Sequence, residues 1–379
     1  MTGLYFLLLL LPAVESEIKS DEVVVFYPSY AVEGRDTATK GVSWKFAVHG
    51  SIFEPESNSL KRRALVASLR ESLQLTEGTP QAAIFDQRIR PFLVDHERGK
   101  SIFVRLLGED FLGEPVAAGT SAANGHFRQT LEVTNELATQ LTAGTLAANR
   151  WIEYQAITPR DDPRRFVGRV QLLPPHGVSV VSDIDDTIKI SQVTDKSQVL
   201  ANTFVRPFRR VPGMADLYAQ AAAGGAAFHY VSGSPWQLCE PLAVFLQESG
   251  FPVGSMHLKL FRLTDSSALH LLASQQEHKL TNIRRILADF PQRKFLLVGD
   301  SGEQDPEIYG ELARTHPNQI LGIFIRDVTN QPADAPRYQA AFAEIPAARW
   351  TVFVEAAEIR ESFLALAKPQ PGHLPAAAE

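Results

Sequence analysis

The stretch VVSDIDDTIK, residues 180–189, decides the fold of the second half of this chain. An apolar run leads directly into three acids, Asp183, Asp185 and Asp186, followed by Thr187. At an extended strand end, Asp183 and Asp185 point to the same side, because side chains alternate along a strand. Two carboxylates this close repel each other unless a cation lies between them. The pattern therefore predicts a strand whose carboxyl end holds a hard divalent cation through oxygen ligands. Asp186 is expected to face solvent.

The region after residue 176 alternates between short apolar runs and amphipathic segments. AAFHYVSGS, SMHLKLF, KFLLVGD and ILGIFIRDV are typical of strands, and MADLYAQAAAGG, PLAVFLQESG, HKLTNIRRILADF and PEIYGELART are typical of helices. Continuous apolar strands that alternate with helices predict a parallel sheet with helices on both faces. Ligands bind to such sheets beyond the carboxyl ends of the strands. We expect this α/β domain to span residues 177–362 and to be followed by a flexible tail, residues 363–379.

Other strand and helix ends in this half carry residues of matching chemistry. The run YVSGSPW ends with Ser232 and Gly233, whose hydroxyl and backbone amides suit phosphate oxygens. Lys279 stands at the start of a helix, where a cation is unfavourable unless an anion is close. Asp300 ends the strand KFLLVGD, and Asp305 follows after a short loop. Each feature is common by itself, so it is their order at successive strand ends that indicates a catalytic site.

This constellation resembles the haloacid dehalogenase superfamily of phosphotransferases over residues 178–330. More narrowly, SDIDDTIKIS, YVSGSPWQL and VGDSGEQDPEIY resemble the catalytic domain of the fungal actin-patch-type phosphatidate phosphatases and their bacterial relatives. The resemblance implies a Rossmann-like parallel sheet of haloacid dehalogenase type. It also implies a Mg²⁺-dependent phosphomonoester hydrolase that works through an aspartyl-phosphate and converts phosphatidic acid to diacylglycerol.

The same resemblance implies roles for individual residues. Asp183 would be the nucleophile, Asp185 the general acid and then base, and Thr187 a residue that orients the acid. The implied Mg²⁺ ligands are Asp183, the backbone carbonyl of Asp185, Asp300 and, close by, Asp305. The implied phosphate-binding residues are Ser232, Gly233 and Lys279.

The class of substrate is predicted from the shortness of the segments that could form a cap over the site. The segments 188–210 and 233–279 are short, so we expect little or no cap over the site. An open site suits a substrate whose bulk stays outside, such as a lipid head group, a phosphoprotein or a polymer end. The segment FVRPFRRVPG mixes Phe204 and Phe208 with Arg206, Arg209 and Arg210, which suits an anionic membrane surface. A loop with solvated arginines is the alternative.

Two other functions stay open at this point. The same chemistry could serve a sugar, nucleotide or protein phosphate, and a scaffold protein could keep a degenerate catalytic domain. Every catalytic position implied by the resemblance is filled, which argues against the scaffold. No protein partner can be inferred from the sequence.

The first half, residues 21–176, has a different pattern. Runs such as VVVFYPSYA, WKFAVHGSIF and HFRQTLEVT are rich in branched and aromatic residues, and Asn124-Gly125 is a strong turn signal. SLKRRALVASLRESLQL has helical spacing. We predict a β-rich, sandwich-like accessory domain with a helical insert and no catalytic cluster.

Bulk properties narrow the function further. A chain of 379 residues is long enough for two domains, and its net charge of -6 argues against nucleic-acid binding. The single cysteine, Cys239, excludes an internal disulfide and a cysteine zinc site. Residues 1–16 fit a signal peptide, which would place the enzyme outside the cytoplasm. A mis-set start or a short interfacial anchor fits equally, and the protein would then be cytoplasmic or membrane-peripheral.

Overall fold

A computed structural model describes residues 15–35, 40–55, 60–108, 112–142, 150–261 and 276–368. The predicted signal peptide therefore lies almost entirely outside the described residues. The first half forms a sheet of nine strands: β1 Val23–Phe26, β2 Ser29–Arg35, β3 Val42–Glu54, β4 Asp95–His96, β5 Ser101–Leu107, β6 Val116–Thr120, β7 His126–Thr134, β8 Trp151–Ala156 and β9 Val167–Leu173. Among the strand pairs described in this sheet, β2 and β9 are parallel and the others are antiparallel.

The nine strands belong to one connected sheet rather than to two separate ones. Their order is β1-β3-β2-β9-β8-β5-β6, and β4 and β7 both pair with the long strand β3. The predicted turn is present, since the amide of Gly125 donates to the carbonyl of Ala122. It joins β6 to β7, which pair with β5 and β3 respectively and lie against each other. The first half is thus a β-rich unit with its own core around Trp44, Phe127 and Tyr154.

Three helices accompany this sheet: α1 Leu60–Ser72, α2 Pro80–Ile89 and α3 Asn135–Leu141. The sequence predicted α1 but not α2. The start of α2 has an ordinary signal, because the hydroxyl of Thr79 accepts the amide of Ala82 and Pro80 occupies the first turn. Its buried residues recur at helical spacing: Ala82, Phe85, Arg88 and Ile89. One face of α2 is therefore built to pack against another element.

The second half forms a separate sheet of six strands, all parallel. The strands are β10 Val178–Ser182, β11 Ala227–Pro235, β12 Ser255–Lys259, β13 Lys294–Asp300, β14 Ile320–Arg326 and β15 Trp350–Phe353. Their order is β12-β11-β10-β13-β14-β15, so the direction of strand succession reverses between β10 and β13. Ligands of parallel sheets bind at this kind of reversal. The predicted parallel α/β domain is confirmed.

Seven helices belong to this half: α4 Lys196–Phe204, α5 Met214–Ala223, α6 Cys239–Glu248, α7 Gln276–Asp289, α8 Asp305–Thr315, α9 Pro336–Ala341 and α10 Ala356–Ala367. They cover both faces of the sheet. Val180 of β10 faces the core that holds α5, α6 and α10, and its neighbour Val181 faces the core that holds α7, α8 and α9. Among the described residues, no helix is long and apolar enough to span a bilayer.

Two features of the predicted domain organisation need correction. The tail predicted for residues 363–379 is wrong at its start, because α10 continues to Ala367 and buries Phe363 completely; residues 369–379 lie outside the described residues. The two units are also not independent, since Tyr27, Phe85 and Phe92 of the first pack in the same core as the second. The predicted boundary near residue 176 does fall between β9 and β10.

Candidate active site

Asp183 lies at the carboxyl end of β10, in the centre of the second sheet, and is completely buried. Its amide donates to the carbonyl of Val298 at 2.9 Å, which continues the pairing with β13 beyond the strand end. The hydroxyl of Thr187 donates to its Oδ2 at 3.3 Å, and Lys279 Nζ lies 3.0 Å from its Oδ1. The fold thus brings the predicted nucleophile, threonine and lysine together.

Lys279, in the first turn of α7, is buried among three carboxylates. Its Nζ lies 3.0 Å from Asp183, 2.9 Å from Glu303 and 2.6 Å from Asp305. Burial opposes the charge of the ammonium group, but Asp183, Asp305 and Glu303 together hold the pKa of Lys279 well above its ordinary value. These acids explain a cation at this unfavourable end of a helix, and the role of Lys279 in phosphate binding stays a prediction.

A group of carboxylate oxygens meets beside Lys279. Asp183, Asp300 and Glu303 each offer one oxygen within 4.8 Å of the others. Asp300 Oδ1 accepts the amides of Gly302 and Glu303, whereas Asp300 Oδ2 is buried without a hydrogen-bond partner among the described residues. Burial and the neighbouring carboxylates raise the pKa of Asp300 well above its ordinary value, and burial does the same for Asp183. Asp183 and Glu303 share the single ammonium group of Lys279, and Asp300 Oδ2 has no partner among the described residues, so this excess of negative oxygens fits a hard divalent cation.

Glu303 was not among the predicted site residues. Its sequence signal is its place in the motif GDSGEQD, between the two predicted aspartates Asp300 and Asp305. Arg337 fixes the loop that carries it, since its guanidinium donates to the carbonyls of Ser301 and Glu303 and also binds Glu307 at 2.7 Å. The 301–303 loop is therefore held from behind by α9.

Asp305 contacts the same lysine as Asp183 and Glu303, but it is not one of the three carboxylates whose oxygens meet. Its Oδ1 binds Lys279 at 2.6 Å, and its Oδ2 accepts the amide of Asp300 at 3.2 Å. Both oxygens are engaged with the protein, so Asp305 positions the lysine and the end of β13. This close approach needs Gly299, because a Cβ there would lie 2.3 Å from Asp305 Oδ2. The assignment of Asp305 as a metal ligand stays a prediction.

Asp185 is held by four donors. Its Oδ1 lies 2.7 Å from Lys189 Nζ and accepts the hydroxyl of Ser191 at 2.6 Å. Its Oδ2 accepts the hydroxyls of Ser232 at 3.2 Å and Ser234 at 2.9 Å. Burial disfavours the charged form, but Lys189 and these hydrogen bonds outweigh it and lower the pKa of Asp185 to about 2. Ser232, predicted to bind phosphate, here binds the predicted general acid.

Lys189 is a second residue that sequence analysis missed. It is buried, bonds Ser191 and lies 4.9 Å from the ring centroid of Phe208. The signal was its place four residues after Asp185, in a segment otherwise apolar enough to be buried. A buried lysine needs a counter-charge, and here Asp185 supplies it.

Asp186 does not face solvent, as the sequence had suggested. It is buried, has a positive φ of 53°, and accepts three backbone amides. Those donors are Ser191 at 2.8 Å, Gln192 at 2.9 Å and Val193 at 2.6 Å. The guanidinium of Arg326 donates to its carbonyl at 2.6 Å. Asp186 is thus the residue that folds the loop beyond β10 back over the site.

A cleft of about 230 Å³ opens above Asp185 and Glu303. Gly233 and Ser234 form part of its polar floor, and phosphate binding by Gly233 stays a prediction. Its wall comes from the segment around α4 and from the turn after β11: Val193, Lys196, Val199, Leu200, Thr203, Phe204, Pro235 and Leu238. The wall is mostly apolar, and Lys196 stands exposed at its rim.

The predicted membrane-facing loop is arranged differently from the expectation. Phe204 is buried, and Phe208 packs edge-on against Phe245 at 5.8 Å. Arg206 donates to Gln198 and Asn202, and Arg210 donates to the carbonyl of Ser249. Phe204 and Phe208 therefore pack against the protein rather than projecting as a pair into solvent, and contact of this loop with a membrane stays a prediction.

Comparison with known proteins gives sequence matches that centre on the second half of the chain. Residues 178–327 match the family model for the catalytic domain of phosphatidate phosphatase APP1. The chain is 32% identical over 267 residues to the phosphatidate phosphatase APP1 of Saccharomyces cerevisiae, covering 69% of this chain and 43% of that protein. It is 36% identical over 169 residues to an uncharacterized protein of Schizosaccharomyces pombe, covering 44% of this chain and 27% of that one. The chain therefore spans less than half the length of these curated relatives.

Among solved structures, a HAD-like phosphatase from Mesorhizobium loti is 12% identical, with a TM-score of 0.33, covering 53% of this chain and 91% of that one. A similarity this low adds nothing about the site. Residues 178–327 are therefore similar in sequence to the catalytic domain of phosphatidate phosphatases.

Proposed function

We propose that this protein is a Mg²⁺-dependent phosphatidate phosphatase that hydrolyses the phosphomonoester through an aspartyl-phosphate on Asp183. The main support for this proposal is a buried cluster at the point where the strand order reverses. The cluster contains Asp183, Lys279, Asp300 and Glu303. A nucleophilic carboxylate, a cation for phosphate oxygens and an oxygen-rich cation site are the parts that phosphoryl transfer requires.

The residues divide the work of the first step. Asp183 attacks phosphorus, a bond forms between its Oδ and phosphorus, and the bond from phosphorus to the glycerol oxygen breaks. Lys279 binds the equatorial phosphate oxygens as their charge grows. Asp183, Asp300, Glu303 and the carbonyl of Asp185 would hold Mg²⁺, which supplies charge neutralisation when bound. Asp185 gives a proton to the departing glycerol oxygen.

The second step returns the enzyme to its starting state. A water molecule attacks the aspartyl-phosphate, gives its proton to Asp185, and inorganic phosphate leaves. For Asp185 to begin the cycle protonated, its pKa must rise from the value of about 2 in the substrate-free protein. Ser232 and Ser234 both donate to Asp185, and the bond from Ser234 contributes to lowering its pKa. A bound phosphate that accepts those hydroxyls would free Asp185 and raise its pKa.

The lining of the cleft and the similarity to the phosphatidate phosphatase of Saccharomyces cerevisiae both support a lipid substrate. The apolar wall formed by Leu200, Phe204 and Leu238 lies next to the floor that holds Asp185 and Ser234. Leu200 is the partly exposed residue of this wall, and the glycerol backbone of a phospholipid would extend along it from the polar floor. The described residues around the cleft form no separate cap, and part of the 233–279 segment lies outside them.

The test is phosphate release from phosphatidic acid in detergent micelles, with and without Mg²⁺. We expect release that needs Mg²⁺ and that falls at least about a thousandfold in Asp183→Asn, because the nucleophile is lost. Asp195→Asn, an equal change at an exposed helix cap, is the control and should be unaffected. Release from an aryl phosphate alone would move the substrate to a non-lipid phosphate. Release from neither would favour a binding protein.

A further inference from the structure

The proposed catalytic steps use no residue of the β-rich first unit, so they give this unit no role. We propose that Arg88 of this unit is a positioning residue that holds α4, and with it the apolar wall of the active-site cleft, in place. The inference rests on the proposed function for its kinetic consequences and on the contacts of Arg88 for its structural content.

Arg88 caps the end of α4 from outside the second unit. Its Nη1 donates to the carbonyls of Thr203 and Arg206, each at 2.7 Å, and approaches that of Asn202 at 3.5 Å. The last four carbonyls of a helix have no partner within the helix, and they carry the negative end of its dipole. A buried guanidinium is therefore well suited to end α4. No cation within α4's last turn does this.

The helix that carries Arg88 also backs the cleft wall directly. Phe85, one turn earlier in α2, lies edge-on to Phe204 with ring centroids 6.5 Å apart. Phe92 contacts the same ring at 5.5 Å. Phe204 in turn lines the cleft. The first unit thus packs on one side of the residue whose other side faces the substrate space.

A second line of contacts runs from Arg88 toward Asp185. The guanidinium carbon of Arg88 lies 3.6 Å from the ring centroid of Phe208. Lys189 Nζ lies 4.9 Å from the same centroid and 2.7 Å from Asp185 Oδ1. Phe208 therefore has a cation from each unit against it, one of which binds the proposed general acid. Loss of Arg88 would loosen both the end of α4 and this ring.

The first measurement is hydrogen exchange of the amides in α4, compared with those in α10 as an internal reference. In Arg88→Met we expect exchange in α4 to rise at least about tenfold relative to α10, because its terminal carbonyls lose their donor. Arg88→Lys keeps the charge and one donor group and should show a smaller increase. Arg90→Met, an equal change at an exposed position two residues away, should leave the ratio unchanged.

The second measurement is substrate selectivity. We expect the ratio of kcat/KM for phosphatidic acid to kcat/KM for p-nitrophenyl phosphate to fall about tenfold in Arg88→Met, with partial recovery in Arg88→Lys. If Arg88 only stabilised the whole protein, Arg88→Met would lower kcat/KM for both substrates together and leave their ratio unchanged. It would also raise hydrogen exchange in α4 and α10 alike. Either of those results would overturn the inference. Absence of hydrolysis by the wild type would refute the proposed function, and the exchange ratio would still decide the role of Arg88.

Discussion

Asp300 is a carboxylate that the protein alone does not satisfy. Its Oδ1 is bonded by two amides, but its Oδ2 is buried without a partner among the described residues, beside other acids. Its folded pKa is raised above the value of 3.8 expected in the unfolded chain. A raised pKa of an acid means that folding stability is lost as pH rises from the unfolded pKa through the folded one. Function, not stability, explains this residue.

We therefore expect Asp300→Asn to raise the thermal midpoint of the metal-free protein. The amide keeps the Oδ1 acceptor and removes the buried charge. The gain should be absent below pH of about 3.8, where both states of the wild type are protonated, and should grow as pH rises. Mg²⁺ should raise the midpoint of the wild type and not that of the variant. Calorimetry at two pH values, with and without Mg²⁺, measures all of this, and a lower midpoint in the metal-free variant would contradict it.

Gly299 is expected to tolerate no side chain. A Cβ at this position would lie 2.3 Å from Asp305 Oδ2 and 2.7 Å from its Cγ, so Asp305 would have to move away from Lys279. Gly299→Ala should cost about 1–3 kcal/mol of stability and lower kcat/KM at least about tenfold. Gly34→Ala is a matched control, since a Cβ in that strand would meet only an ordinary contact at 3.7 Å. Denaturation and steady-state kinetics decide, and equal behaviour of the two variants would refute the explanation.

At the scale of residues, the sequence motifs indicated which residues belong to the site, but not which side chains contact each other there. Asp183, Lys279 and Asp300 could be predicted because each stands at the end of an element, and the carboxyl ends of parallel strands converge. Glu303 and Lys189 carried only weak signals, a place in GDSGEQD and a position four residues after Asp185, and Arg337 carried none. Their partners lie on other loops, and spacing along the chain does not determine which side chains pair there.

The loop after β10 is the element that closes the site from one side. It returns on itself because Asp186 accepts three successive amides, from residues 191 to 193. The same loop carries Ser191, which donates to Asp185. The position of the proposed general acid is therefore tied to this one backbone arrangement.

We expect Asp186→Asn to destabilise the protein by about 2 kcal/mol, since hydrogen bonds to a charged acceptor are replaced by weaker ones. Asparagine accepts the positive φ of 53°, so backbone strain does not add to the effect. Asp195→Asn, at the exposed N-cap of α4, should cost almost nothing, because both residues are good caps. Urea unfolding with an unchanged m-value measures the difference. If the two variants were equally stable, Asp186 would not organise the loop.

At the scale of elements, periodicity predicted the second half well and the first half less completely. Strands β10 to β14 and helices α5 to α8 could be derived from apolar runs that alternate with amphipathic segments. The strand β15 and the helices α4, α9 and α10 were not predicted. The helix α2 was missed although Thr79 and Pro80 mark its start. The pairing of β2 in parallel with β9 lay beyond prediction, because it joins segments far apart in sequence.

The whole molecule depends on a core to which both units contribute. Arg293, between α7 and β13, donates to the carbonyls of Pro174, His176 and Val178 where the units join. The amide of Met256 in the edge strand β12 donates to the carbonyl of Pro28. Together with Phe85 and Phe92 in the mixed core, these contacts make the interface part of the second unit's own packing.

We therefore expect the full chain to unfold in a single cooperative transition, with equal calorimetric and van't Hoff enthalpies. Phe85→Ala, in the first unit, should lower the midpoint of the entire transition, because it removes about 3–5 kcal/mol of buried packing from a core that both units share. Val167→Ala, at an exposed position of the same unit, is the control. Two separate transitions, with only one shifted by Phe85→Ala, would show that the units fold independently. In that case the first unit could not hold α4 in place through its own stability, and the positioning role of Arg88 would have to be local to the contact.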